Sequence, residues 1–183
     1  YHKYDDWGNV VSVSKAKDKI ASYIYGYKHS LPIAEVQGAP VTDFFHTSFE
    51  DEGEGNSGHN DSKTGYKSRT DGYSKSIENL NNGTYILSYW KKSDGIWSFV
   101  ENNISVTNGT YNIDLSGQVD EIRFYPVGAL ITTYTYDPLV GMTSSTDQNG
   151  FTTYFNYDSF GRLKSAKDHN GNLLKDMYYH YQE

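Results

Sequence analysis

The sequence predicts an all-β protein, a β-sandwich flanked by repeated β-hairpins, and three observations carry that expectation. Aromatic residues make up 16% of the 183-residue chain, with 18 tyrosines and 17 glycines, a balance that favours pleated strands and tight turns over helices. A shift of 21 residues lays 136–150 over 157–171 without a gap, so the C-terminal part is an internal repeat. Between the repeat blocks, residues 43–127 lose that period but carry short apolar runs at roughly ten-residue spacing, the rhythm of a sandwich.

The repeat reads as strand, turn, strand. Tyr136 falls on Tyr157, Asp137 on Asp158, Met142 on Leu163, Asp147 on Asp168 and Gly150 on Gly171. Before the second turn, Thr152, Tyr154 and Asn156 alternate with Thr153, Phe155 and Tyr157, the period-2 pattern of a half-buried strand. "DQNG" and "DHNG" each place Asn-Gly between alternating runs, which predicts type I′ hairpin turns. "GNLL" and "DMYYHYQ" (176–182) supply the next strand. The physical reading of the recurring pair is structural: Tyr lays its ring on the sheet with its hydroxyl wet, and Asp caps turn amides.

The middle segment reads as four pieces. A strand is expected at Phe44–Phe49, followed by a polar loop. "GTYILSYWKKSDGIWSFV" (83–100) predicts two strands around Ser93-Asp94-Gly95. "YNIDLSGQVDEIRFYPVG" closes on an alternating strand that buries Ile122 and Phe124. In "YILSYWKK", Tyr85, Leu87 and Tyr89 share one face while Ile86, Ser88 and Trp90 share the other, and one of the two must be core.

Composition narrows the function classes. A net charge of −7 argues against a nucleic-acid surface, because phosphates need clustered Lys and Arg. No run approaches the roughly 18 apolar residues that cross a bilayer. The absence of cysteine removes disulfides, Cys-ligated zinc and thiol nucleophiles. The first residues already read as mid-strand, which predicts a longer parent polypeptide. No HExxH, G-x-S-x-G, P-loop or dinucleotide fingerprint occurs. The row Asp51, Glu52, Glu54 could supply the paired carboxylates of a glycosidase, but carboxylates in a row usually form a solvated loop. His59 and Asp61 lie two apart in a Gly/Ser-rich stretch, which does not order a catalytic pair. The expectation is a non-catalytic protein.

Tyr136-Asp137, Tyr157-Asp158-Ser-Phe-Gly161-Arg162-Leu163 and Asp168-x-x-Gly171 resemble the YD repeats of RHS-type proteins. Tyr4-Asp5 with Gly8-Asn9-Val10 is similar to another copy, and "SYIYGYKHSLPIAEV" (22–36) resembles a segment of YD-repeat proteins of Bacteroidetes. One copy departs, carrying "PLVG" after its Asp137. The resemblance implies strands coiled on a secreted or surface polypeptide, with upstream YD repeats of the same chain as partners. "SFED", "TGYKS" and "VDEIRFYP" resemble a galactose-binding-like jelly roll of the carbohydrate-binding-module type. That resemblance implies polysaccharide as ligand and a structural calcium held at the positions of Glu50 and Asp120. Trp90 and Trp97 are the candidates for a sugar platform, with a buried structural indole as the alternative. The resulting organisation is YD-repeat strands over 1–40, a jelly-roll module over 41–130 and YD-repeat hairpins over 131–183.

Overall fold

A computed structural model describes residues 2–15 and 18–179, and it is all-β with antiparallel sheets. No helix among the described residues is long and apolar enough to cross a membrane.

Nine strands form one sheet: β1 (His2–Tyr4), β2 (Val10–Val13), β3 (Ala21–Gly26), β4 (Leu31–Gln37), then β11 (Leu130–Asp137), β12 (Gly141–Thr146), β13 (Thr152–Tyr157), β14 (Leu163–Lys167) and β15 (Leu173–Asp176). They follow chain order, except that about ninety residues depart after β4 and return at β11. Those two strands pair directly, with Ile131 opposite Val36 and Thr133 opposite Ala34, so both repeat blocks share one sheet.

The departing segment builds two smaller sheets. After a 3-10 turn (Val41–Asp43), four strands pair in the order β5 (Phe45–Thr47), β10 (Gln118–Pro126), β7 (Gly83–Ser93), β8 (Ile96–Val106). β6 (Tyr73–Ile77) and β9 (Tyr111–Leu115) pair with each other. First and last strands of the segment are antiparallel neighbours, Arg123 opposite His46 and Phe124 opposite Phe45, so the chain leaves and re-enters the large sheet at one place.

Two apolar clusters stack these sheets in a sandwich-like arrangement. Ile77, Ile113, Leu87, Val106, Ile122 and Phe124 pack the two-stranded sheet on one face of the four-stranded sheet. Phe124 lies between Tyr85 and Tyr111 with ring centroids at 4.8 and 5.2 Å, nearly parallel. On the other face, Tyr125, Phe44 and Ile86 pack against Ala34, Val36 and Ile131 of the nine-stranded sheet. Both faces of β7 are therefore covered, where the sequence asks for one, and β10 is buried from Val119 to Tyr125.

Several local expectations change. The first strand of the segment is shorter than Phe44–Phe49, because Phe49 turns left-handed (φ 61°) after β5. The last strand ends at Asp176 and Met177–Tyr179 do not extend it, while residues 180–182 of that expectation lie outside the described residues. The type I′ turn sits between β7 and β8, where both Asp94 (φ 50°) and Gly95 (φ 80°) are left-handed. At the repeat turns only the glycine is left-handed, with Gly150, Gly161 and Gly171 between 71 and 84°.

Those turns are built by aspartate. Asp5, Asp147, Asp158 and Asp168 each accept, through Oδ1, the amides of the residues two and four positions on, at 2.8–3.0 Å. In each, the glycine three positions on donates its N–H to the aspartate carbonyl. This is a type I turn closed by a left-handed glycine, a three-residue hairpin loop. Asp137 is the exception: its Oδ1 accepts only Leu139 N, and in a loop of the same length Val140, not a glycine, donates its N–H to the aspartate carbonyl.

Candidate functional site

Segments 48–51, 64–68 and 119–126, distant in sequence, meet in the structure, and two carboxylates fasten them. Glu50 Oε1 accepts the amides of Tyr66 and Lys67, both at 2.8 Å, and its carboxyl lies where a Cβ on Gly65 would stand. Asp120 Oδ2 accepts the amides of Lys63 and Thr64 at 2.7 and 2.9 Å, while Oδ1 accepts Glu121 N at 2.7 Å. Segment 63–67 is thus pinned at one end by Asp120 and at the other by Glu50.

Burial raises both acids. Glu50 is pushed up to about 7 by desolvation, opposed by its two amide donors. Asp120, fully buried, is held well above the usual carboxylate range for the same reason.

This donor set does not fit a shared calcium. Calcium takes six to eight oxygens, several of them ionised carboxylates. Here the oxygens of Asp120 face three N–H donors, which already do for the carboxyl what a cation would do. Among the described residues no group of three or more His, Asp or Glu side chains is arranged to hold a metal.

Trp90 stands on the β7 face that meets the nine-stranded sheet. Its ring carries the Lys63 ammonium at 4.1 Å and lies 5.3 Å from Phe99, and its Nε1 is buried without a hydrogen-bond partner. Tyr154 of β13 reaches across and donates its hydroxyl to the Lys63 carbonyl at 3.0 Å. Burial lowers the Lys63 ammonium from its ordinary value, against the attraction of Glu121 and Asp120. Trp97, on β8 at the sheet edge, stays half-buried beside the Lys92 ammonium, 5.5 Å from its ring. The two indoles share a face, yet only Trp97 lies at an open edge.

The same seam holds residues that sequence reasoning missed. Arg123 is fully buried: Nε donates to Ser88 Oγ at 3.1 Å, Nη1 to the Asp147 carbonyl at 2.6 Å, and the guanidinium lies 5.4 Å from the Phe99 ring. Glu121, left-handed at φ 50° in a β-bulge, receives the hydroxyl of Thr133. His46 bonds the Ile122 carbonyl through Nδ1 at 3.0 Å, and burial drops its pKa to about 3, so it is neutral. Charged residues in "VDEIRFYP" are the signal, since charge within a strand buried on both faces marks a polar interface.

The acids weighed for catalysis diverge. Asp51 accepts Tyr27 N at 2.6 Å, and Glu54 accepts Thr47 Oγ1 at 2.7 Å. His59 stacks on Tyr66 while Asp61 pairs with Lys92.

Neither a protein-family model nor a curated protein matches the chain.

Proposed function

We propose that the chain is a non-catalytic structural part of a secreted or surface YD-repeat-type polypeptide. A jelly-roll-like insertion is fastened across one face of the repeat sheet and stiffens it. The observation that carries this reading is the seam: the face that would offer Trp90 to a sugar packs instead, through Phe99, on the repeat turn. A Cβ on Gly150 would stand 3.0 Å from the Phe99 ring, and Arg123 holds the Asp147 carbonyl of that turn. Covering one face protects a sheet too short to close on itself, and among the described residues no strand lies beyond its outer strands β1 and β15, which leaves them edges for further repeats.

If the insertion stiffens the sheet, the layers unfold together. Indole fluorescence, which reports Trp7 of the repeat sheet together with Trp90 and Trp97 of the insertion, and far-UV circular dichroism then follow one coincident urea transition. Two separated transitions would sink the scaffold reading.

One observation favours a second reading, glycan binding at the edge. Trp97 lies at the open side of β8 next to Ile96, which is 69% exposed, with Lys92 alongside as a hydrogen-bond donor. Saturable binding to a polysaccharide panel that disappears in Trp97→Ala would establish this reading over a purely structural one.

A further inference from the structure

The four hairpin turns at one end of the nine-stranded sheet differ in one respect from those at the other end. β1–β2, β3–β4, β11–β12 and β13–β14 turn at the first end, and β12–β13 and β14–β15 at the second. In the aspartate turns, the residue two positions after Asp donates its amide to the carboxylate and points its side chain outward. At the second end that residue is Asn149 or Asn170. At the first end it is Trp7, Leu139 or Phe160. These are 63, 96 and 74% exposed, and Arg162 lies over the Phe160 ring at 5.2 Å. The same backbone geometry therefore carries apolar tips on one rim and amides on the other. Near the second rim Phe151, Leu173, Leu130 and Val127 are also exposed, but they flank the turns rather than crown them, and Phe151 lies against His169.

The remaining turn of the apolar rim is strained. Tyr27, Lys28 and His29 are all left-handed (φ 50, 59 and 62°), a conformation that is unfavourable for non-glycine residues. Asp51 holds the Tyr27 amide, Asn9 Nδ2 donates to the His29 carbonyl at 2.8 Å, and the His29 ring stacks on Trp7 at 3.4 Å. Strain of this kind persists only where surrounding contacts hold it, as these do. Here it displays Lys28 and braces Trp7.

We infer that this rim docks on a neutral, zwitterionic lipid surface, an inference independent of the scaffold reading. Turns two strands apart in a sheet are separated by about 10 Å, so the tips are isolated points rather than a continuous patch. A partner must yield between them, as the interfacial layer of a bilayer does, and Trp beside basic side chains is suited to that layer. Charge selects the lipid. Asp51 and Glu52, with Tyr27, Lys28, Pro138 and the amide-bound Glu50, line a cavity of about 410 Å³ between the second and third turns of the rim. That carboxylate lining repels anionic headgroups and the same rim of a second copy, and it favours the cationic end of a phosphatidylcholine headgroup.

Sedimentation with phosphatidylcholine vesicles tests this, with brominated acyl chains as quenchers of indole fluorescence. The wild-type chain is expected to pellet with vesicles and be quenched. The Trp7→Ser/Leu139→Ser double variant is expected to lose about tenfold in partitioning while keeping its circular-dichroism melt. Leu139→Ser alone, at a side chain that packs on nothing, keeps the test readable and lowers partitioning by about threefold. Four results would each overturn the inference: a wild-type chain left in the supernatant at millimolar lipid, variants that bind equally, binding confined to anionic vesicles, or a solution dimer that the variants dissolve.

Discussion

Arg123, on the last strand of the insertion, donates from Nη1 to the carbonyl of Asp147 at 2.6 Å, and Asp147 is the residue that builds the β12–β13 turn. One side chain thus ties the segment's exit strand to the repeat it returns to. A guanidinium suits this task because two of its donors reach a hydroxyl and a carbonyl while the planar cation lies over an aromatic ring. Arg123→Ala is expected to lower unfolding free energy by roughly 2–4 kcal/mol through the lost hydrogen bonds and the void. Arg123→Lys recovers only part of it. Urea denaturation measures both, and a loss under about 0.5 kcal/mol for the alanine variant would remove Arg123 from the seam.

Gly150 and Gly161 separate backbone strain from packing. Both are left-handed, at φ 80° and 71°, but only Gly150 has Phe99 against it, while a Cβ on Gly161 would meet open space. Gly161→Ala is expected to cost about 1 kcal/mol in backbone strain alone. Gly150→Ala adds a clash of overpacking size, about 1 kcal/mol or more beyond that. Combining it with Phe99→Leu narrows the gap between the two alanine variants. Equal costs for the single variants would mean that the turn does not bear on the sandwich.

Glu50 makes stability depend on pH in a defined direction. Its folded carboxyl titrates at about 7, above the ordinary value of 4.5, so the folded state holds its proton longer than the unfolded chain does. The contribution is fully present below about 4.5 and is lost as pH rises through 7. Wild-type protein should therefore lose stability relative to Glu50→Gln across that interval, since the amide keeps an acceptor for Tyr66 and Lys67 without ionising. His46 works oppositely below 6.5, which is why the difference between the two proteins is the quantity to measure. A pH-independent difference would refute the assignment.

Because amides already occupy the Asp120 oxygens, calcium should not stabilise the fold. Thermal melts in excess EDTA and in millimolar calcium are expected to coincide to about 1 °C, since only a ligand of the native state shifts the midpoint. A higher midpoint in calcium, lost in Asp120→Asn, would restore a metal to this position.

The sequence by itself determined the local chemistry. Period-2 alternation marked the strands, and the recurring Asp and Gly marked the repeat turns, because each turn is closed by residues within five positions of one another. It could not separate a type I′ turn from the aspartate-capped loop, since Asn-Gly precedes the strand in either case and the deciding hydrogen bonds come from Asp147 and Asp168. Only the tertiary structure decided what covers each face. Tyr85 and Trp90 alternate as in any half-buried strand, yet both faces of β7 are packed, one by the two-stranded sheet and one by the repeat sheet. Arg123, Glu121 and Lys63 became a buried seam for the same reason: the partners that compensate their burial, Asp147, Thr133 and Trp90, lie between 12 and 27 positions away, and alternation along one strand cannot report a sheet assembled from the other end of the chain.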